Sequence, residues 1–191
     1  SPFSVLIHKL YGELMGYFFF SGEMEMSRLV AYQAIDCTVE FGSNDFVCYA
    51  LSSTAYFLAE EGDYQLAYRY EAATKELMKQ FPDTFGSVKA KGSIIWATMH
   101  LRQSTSELRS YCEETAAEGL RCGELRYGVL SKCVEHWYGY VQGDDLSLLN
   151  NELEKTNSFS QQCNLALSLA LGEAMQLSLR PLLENPEDIQ T

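Results

Sequence analysis

The chain lacks most of the features by which sequences announce a function. No unbroken apolar run approaches the roughly 20 residues a membrane-spanning helix needs; Phe46 to Leu51 is among the longest, and Tyr17 to Phe20 is the most aromatic. Basic clusters are missing too, since 14 Lys and Arg face 26 Asp and Glu for a formal net charge of −12. Binding a phosphate backbone or an anionic membrane surface requires such clusters, so nucleic acid and membrane are excluded as expected partners. There is no Gly-x-x-x-x-Gly-Lys-Ser/Thr loop and no Gly-x-Gly-x-x-Gly turn, which leaves nucleotide binding unsupported. The cysteines, Cys37, Cys48, Cys112, Cys122, Cys133 and Cys163, form no Cys-x-x-Cys pair and no disulfide-framework spacing. They read as small buried hydrophobes of a reducing cytoplasm. Strand-period alternation, low-complexity tracts and a signal or transit pattern are likewise absent. Beginning at Ser1-Pro2 and entering helix almost at once, the sequence reads as a segment of a longer protein.

What the chain does have is internal repetition. Gly22, Gly62 and Gly143 punctuate one series, with Gln103 standing where its third member would fall; Gly42, Pro82-Asp83 and Gly123 punctuate a second. Both recur at about 40 residues, and two interleaved series of one period are hard to obtain by chance. The pattern predicts four α-hairpins, over 4–42, 44–81, 84–123 and 124–157, followed by a terminal helix over 158–180, in one helical-repeat domain spanning 1–191. The expected fold class is all-α, a right-handed α-hairpin repeat solenoid. At the most regular turn, Leu58 to Ala67, Gly62 suits the left-handed position past a helix end and Asp63 suits the cap of the next helix. Asn44 or Asp45, Asp83, and the pair Ser104 and Glu107 read as further N-terminal caps. Pro82 stops one helix, and Pro181 is expected to end or kink the last before Asn185-Pro186.

Candidate chemistry is sparse. Cys133 and His136 lie at i and i+3 on one helix, but a zinc site needs three or four ligands and no second pair stands at matching spacing. The three histidines, His8, His100 and His136, accompany no local nucleophile motif. Glu60-Glu61 and Glu113-Glu114 read as solvated faces, because neighbours on a helix point about 100° apart. No metal, cofactor or catalytic residue is therefore expected. Recognition is what remains: stacked hairpins present one set of helices on a concave face, where such proteins usually bind. Carried through the repeat register, that face holds Tyr49, Ser53, Tyr56 and Glu60, then Ala97 and His100, then Trp137 and Tyr140. Tyr and Trp suit an interface by combining area with a polar handle. The same aromatics could instead fill gaps between repeats, because a slip of one or two positions exchanges the faces.

The segment Leu58-x-x-x-Gly62-Asp63-Tyr64-x-x-Ala67, preceded by Ala55, resembles the tetratricopeptide repeat core, with a period of about 40 in place of 34. Lys89-Ala90-Lys91, then Gly119-Leu120-x-x-Gly123-Glu124-Leu125-x-Tyr127, Cys133, and Gly143-Asp144-Asp145-Leu146-x-x-Leu149 are similar to the tetratricopeptide-like middle region of large bacterial signalling ATPases. That resemblance implies a cytoplasmic regulatory arm that contacts a protein or peptide, including other domains of its own chain, with catalysis elsewhere. The alternative is a small-molecule sensor whose ligand occupies the concave groove.

Overall fold

Why the helices stop where they do is written in the backbone at their ends. In a computed structural model the chain is described over residues 2–184, and these hold nine α-helices, one turn of 3-10 helix and no strand. In order they are α1 (Pro2–Phe20), α2 (Met24–Phe41), α3 (Asp45–Glu60), α4 (Tyr64–Met78), α5 (Phe85–Ala97), the 3-10 turn Met99–Leu101, α6 (Thr105–Cys122), α7 (Leu125–Gln142), α8 (Leu146–Gln162) and α9 (Ala166–Glu184). The protein is all-α over this span. No helix among the described residues is long and apolar enough to cross a membrane.

Past Phe20, Glu23 N donates to Phe18 O at 2.8 Å and Gly22 N to Phe19 O at 3.2 Å. The same pair recurs 40 residues on, Asp63 N to Leu58 O and Gly62 N to Ala59 O, and again as Asp144 N to Gly139 O and Gly143 N to Tyr140 O. Each is a Schellman closure, which satisfies two orphan carbonyls of a helix end and requires a left-handed residue. Gly62 supplies it at φ +84°. Gly62→Val is therefore expected to lower stability by ~1 kcal/mol or more, seen as a lower urea midpoint; an unchanged midpoint would contradict that backbone conformation.

The second series is equally regular, with Gly42, Asp83, Gly123 and Asn164 all at positive φ. Asn164 corrects the sequence reading of the last hairpin. The helix expected to end at 157 continues to Gln162, and the one expected over 158–180 begins at Ala166. Leu165 N closes on Ser160 O at 2.8 Å around Asn164, asparagine being the side chain that tolerates the left-handed region best after glycine. Asp83 is likewise the left-handed residue of its junction, and Thr84 caps α5 in its place by accepting from Ser87 N. Asn44, Asp63 and the Ser104 and Glu107 box cap as expected. Pro181 lies inside α9, which runs on to Glu184; Asn185-Pro186 falls outside the described residues.

Contacts divide the chain into two compact units, Ser1–Arg102 with Arg121–Glu124, and Gln103–Leu120 with Leu125–Thr191. In the first unit α1 and α2 form an antiparallel hairpin: Ser27 Oγ donates to Met15 O near the turn, and the Phe3 and Phe41 rings meet 6.0 Å apart at the far end. Beside them α1, α3 and α5 run parallel, with α3 in the middle of the row. Gly12 of α1 lies against Phe46 of α3 at one end of that contact, and Phe19 against Tyr56 at the other. Asp45 at the start of α3 accepts from Gly86 N at the start of α5. The core between them is Tyr49, Phe57, Val88, Ile94 and Ile95, all nearly inaccessible.

The second unit packs α7, α8 and α9 together, with α6 crossing α7 where Gly119 faces Gly128. Leu149 and Leu153 of α8 meet Met175 and Leu179 of α9 in its apolar core. Beside that core Asn157 lies over Gly172 and donates to Gln176 Oε1, and Gln176 in turn donates to Asn150 Oδ1, so an amide ladder joins the two helices next to their apolar contact.

Candidate functional site

In the first unit the face to consider is set by one ion pair. Lys89 of α5 reaches Glu13 of α1 at 2.5 Å, its ammonium 5.6 Å from the centroid of the Tyr49 ring of α3. These three residues mark one side of the parallel row. Seven positions on from each, two helical turns along the same side, stand Phe20, Tyr56 and Trp96. All three are aromatic. Phe20 and Trp96 are 38% and 48% exposed, and Tyr56 is half-buried against Phe19 with its hydroxyl donating to Glu60 at 2.7 Å. Desolvation, and then that bond to a carboxylate, push the Tyr56 phenol up to about 12, so it acts as a neutral donor.

Of the residues expected here, Tyr56 and Glu60 lie on this side of the row, and Tyr49 and Ser53 are buried in it. Ala97 is buried, while its neighbour Trp96, which sequence reasoning passed over, is the exposed side chain. His100 is exposed on the 3-10 turn, its Nδ1 3.3 Å from Ile95 O. Next to that turn Glu71, buried on α4, takes Lys75 at 2.5 Å and Arg102, whose guanidinium stacks 3.8 Å over the Tyr68 ring. Burial alone would raise the Glu71 carboxyl, but the bonds and charges of its partners hold it below the ordinary value. This cluster pins α4 to the end of α5 and leaves no charge without a partner for chemistry.

In the second unit Trp137 and Tyr140 stand exposed on α7, ring centroids 6.1 Å apart. Earlier on the same helix, Glu135 is buried at the centre of a polar network. Glu135 accepts from Arg109 at 2.8 Å and Lys132 at 2.7 Å, and Arg109 also reaches Asp144 at 2.6 Å. Here too burial is overcome by the Lys132 and Arg109 bonds, and the Glu135 carboxyl stays below its usual range. His136 meets Thr156 Oγ1 through Nε2 at 3.0 Å, and Thr156 donates to Glu152 O. Desolvation outweighs the Glu135 carboxylate 3.4 Å from Nδ1 and holds the imidazole neutral, its pKa lowered to about 4.

A histidine of ordinary pKa 6.5 in the unfolded chain and about 4 in the folded one is protonated first in the unfolded state. Its contribution is fully present above 6.5 and is lost as pH falls toward 4. Acidification from neutral to about pH 5 is thus expected to cost roughly 2 kcal/mol from this residue. The measurement is the urea midpoint against pH, which His136→Gln should flatten in that window.

Cys133 and His136, the one pair with metal-ligand spacing, turn to different partners: the Cys133 thiol donates to Ser168 O at 3.5 Å on α9, whereas His136 faces α8. Among the described residues no group of three or more His, Cys, Asp or Glu could hold a metal ion. Burial pushes the thiols of Cys48 and Cys112 up to about 12 and that of Cys133 to about 11, far from thiolate character. A surface cavity of about 470 Å³ on α8 and α9, lined by Asn150, Glu154, Gln176, Leu177 and Arg180 among others, contains none of the expected site residues. Compared with known proteins, the chain matches no protein-family model, no curated protein and no solved structure.

Proposed function

We propose that the chain is a non-catalytic interaction module, a tetratricopeptide-like α-hairpin repeat wound as a right-handed solenoid that binds a protein or peptide segment. Its setting in this reading is a cytoplasmic bacterial signalling protein in which ATPase and output domains carry the chemistry. The observation that supports it most is the row Phe20, Tyr56 and Trp96 on three parallel helices. Large aromatics left half in water, beside a hydrogen-bonded carboxylate at Glu60, are the composition of a binding hot spot rather than of a solvated face. The buried carboxylates Glu71 and Glu135, by contrast, are tied into ion pairs and His136 is held neutral by burial, which suits a scaffold.

The test is a pull-down from the source organism's lysate with the chain as bait, the bound fraction assayed for proteins and for metabolites. A defined protein retained by wild type and lost on Tyr56→Ala with Trp96→Ala, at unchanged helical content, supports the module. Retention of a metabolite without protein would replace it with the small-molecule sensor.

A further inference from the structure

The offset of 40 residues that superimposes the α1 junction on the α3 junction also pairs side chains along the two helices. Leu6 corresponds to Phe46, Leu10 to Ala50, Glu13 to Ser53 and Tyr17 to Phe57. On α3 these positions are closed. Phe46, Ala50 and Phe57 are 0–7% exposed, because Gly12 of α1 abuts Phe46 and the Arg28 guanidinium of α2 lies 5.4 Å over the Phe57 ring. On α1 the same positions are open: Leu6, Leu10 and Tyr17, together with Phe3, are 59–64% exposed. An apolar flank that the repeat buries everywhere else in this unit is thus bare on its first helix.

We propose that a second copy of this chain covers that flank, α1 against α1 about a two-fold axis. Phe3, Leu6, Leu10 and Tyr17 follow steps of three, four and seven, the seam spacing of two helices packed along their length. Apart from buried His8, the only acidic or basic residues of α1 are Lys9 and Glu13, both exposed and of opposite sign. In an antiparallel pair centred near Leu10, Lys9 of each copy approaches Glu13 of the other. Glu13 holds Lys89 through Oε1 alone, so its second oxygen is available to that lysine. A parallel pair would instead set Glu13 against Glu13 and Lys9 against Lys9, so these charges select the antiparallel orientation. The area also fits. With Met26 and Leu29 of α2, both more than two-fifths exposed, the hairpin offers apolar side-chain surface of about 650 Å² at roughly 200 Å² per large side chain. A stable interface takes about 800 Å² from each partner, the remainder here being polar rim.

The experiment is sedimentation equilibrium on the wild-type chain from low to high micromolar concentration, with helical content followed in parallel. The expected result is a reversible dimer. Leu10→Glu, which puts a carboxylate at the centre of the seam, should weaken it at least ~100-fold, and Val39→Glu, at an exposed site on α2 away from the stripe, should leave it unchanged. Lys9→Glu, a surface change that spares the fold, should weaken the dimer about tenfold at low salt and less at high salt. A wild type that stays monomeric throughout the range, as expected if the flank receives a hairpin from another polypeptide, overturns the proposal. So does a dimer indifferent to both Leu10→Glu and Lys9→Glu.

Discussion

Gly86→Ala is expected to lower the free energy of unfolding by about 3 kcal/mol or more. A Cβ at this position would stand 2.1 Å from Asp45 O and 2.6 Å from Phe46 N, inside the backbone of α3. Backbone atoms have no rotamer by which to retreat, so α3 and α5 must separate at their N-terminal ends. That separation would break the bond from Gly86 N to the Asp45 carboxylate and open the packing of Val88 and Ile94, both inaccessible to solvent. Gly172 provides a comparison. Its Cβ would meet Asn157 Oδ1 at 1.8 Å, but a side-chain amide can swing aside, so Gly172→Ala should cost less. Thermal or urea unfolding distinguishes them; a loss below ~1 kcal/mol at Gly86 would mean the two helices do not approach as closely as described.

Removing Glu13 should cost about 2 kcal/mol, whereas removing Lys89 should cost little. The asymmetry follows from where the two charges sit. The Lys89 side chain is 4% exposed and that of Glu13 49%, so Glu13→Ala strands a cation inside the row above Tyr49. A stranded buried charge is penalised by up to 3–5 kcal/mol in full burial, here discounted because the vacated Glu13 position admits water. Lys89→Met fills the same volume and frees a carboxylate that is already half in solvent, for a change within ~1 kcal/mol. Equal losses from the two substitutions, measured by urea denaturation, would contradict this assignment of burial.

The junctions were legible because a left-handed residue leaves a compositional mark. Glycine at 22, 42, 62, 123 and 143 sits at positive φ in each case. Asn164 carries the same conformation 41 residues after Gly123, but asparagine is common in exposed helices and passed for one more polar residue of a long helix. The site was less legible for a geometric reason. In α5 the helix stops at Ala97 and gives way to the 3-10 turn, at the one junction of the Gly22, Gly62 and Gly143 series without a glycine. A register carried across that irregular end slips by one, which exchanges exposed Trp96 for buried Ala97. Gly86 left no mark at all: a glycine at a helix start reads as flexibility, and only the neighbouring chain reveals a close approach.

The aromatic row invites one measurement above others, iodide quenching of tryptophan fluorescence with and without the protein captured in the pull-down. Trp96 and Trp137 are the only tryptophans and are 48% and 52% exposed, so the free chain should be readily quenched, and Trp137→Phe isolates the Trp96 signal. A binding face predicts that the partner shields Trp96 from iodide. Trp96 protected in the free chain, or equally quenched in the complex, would contradict it.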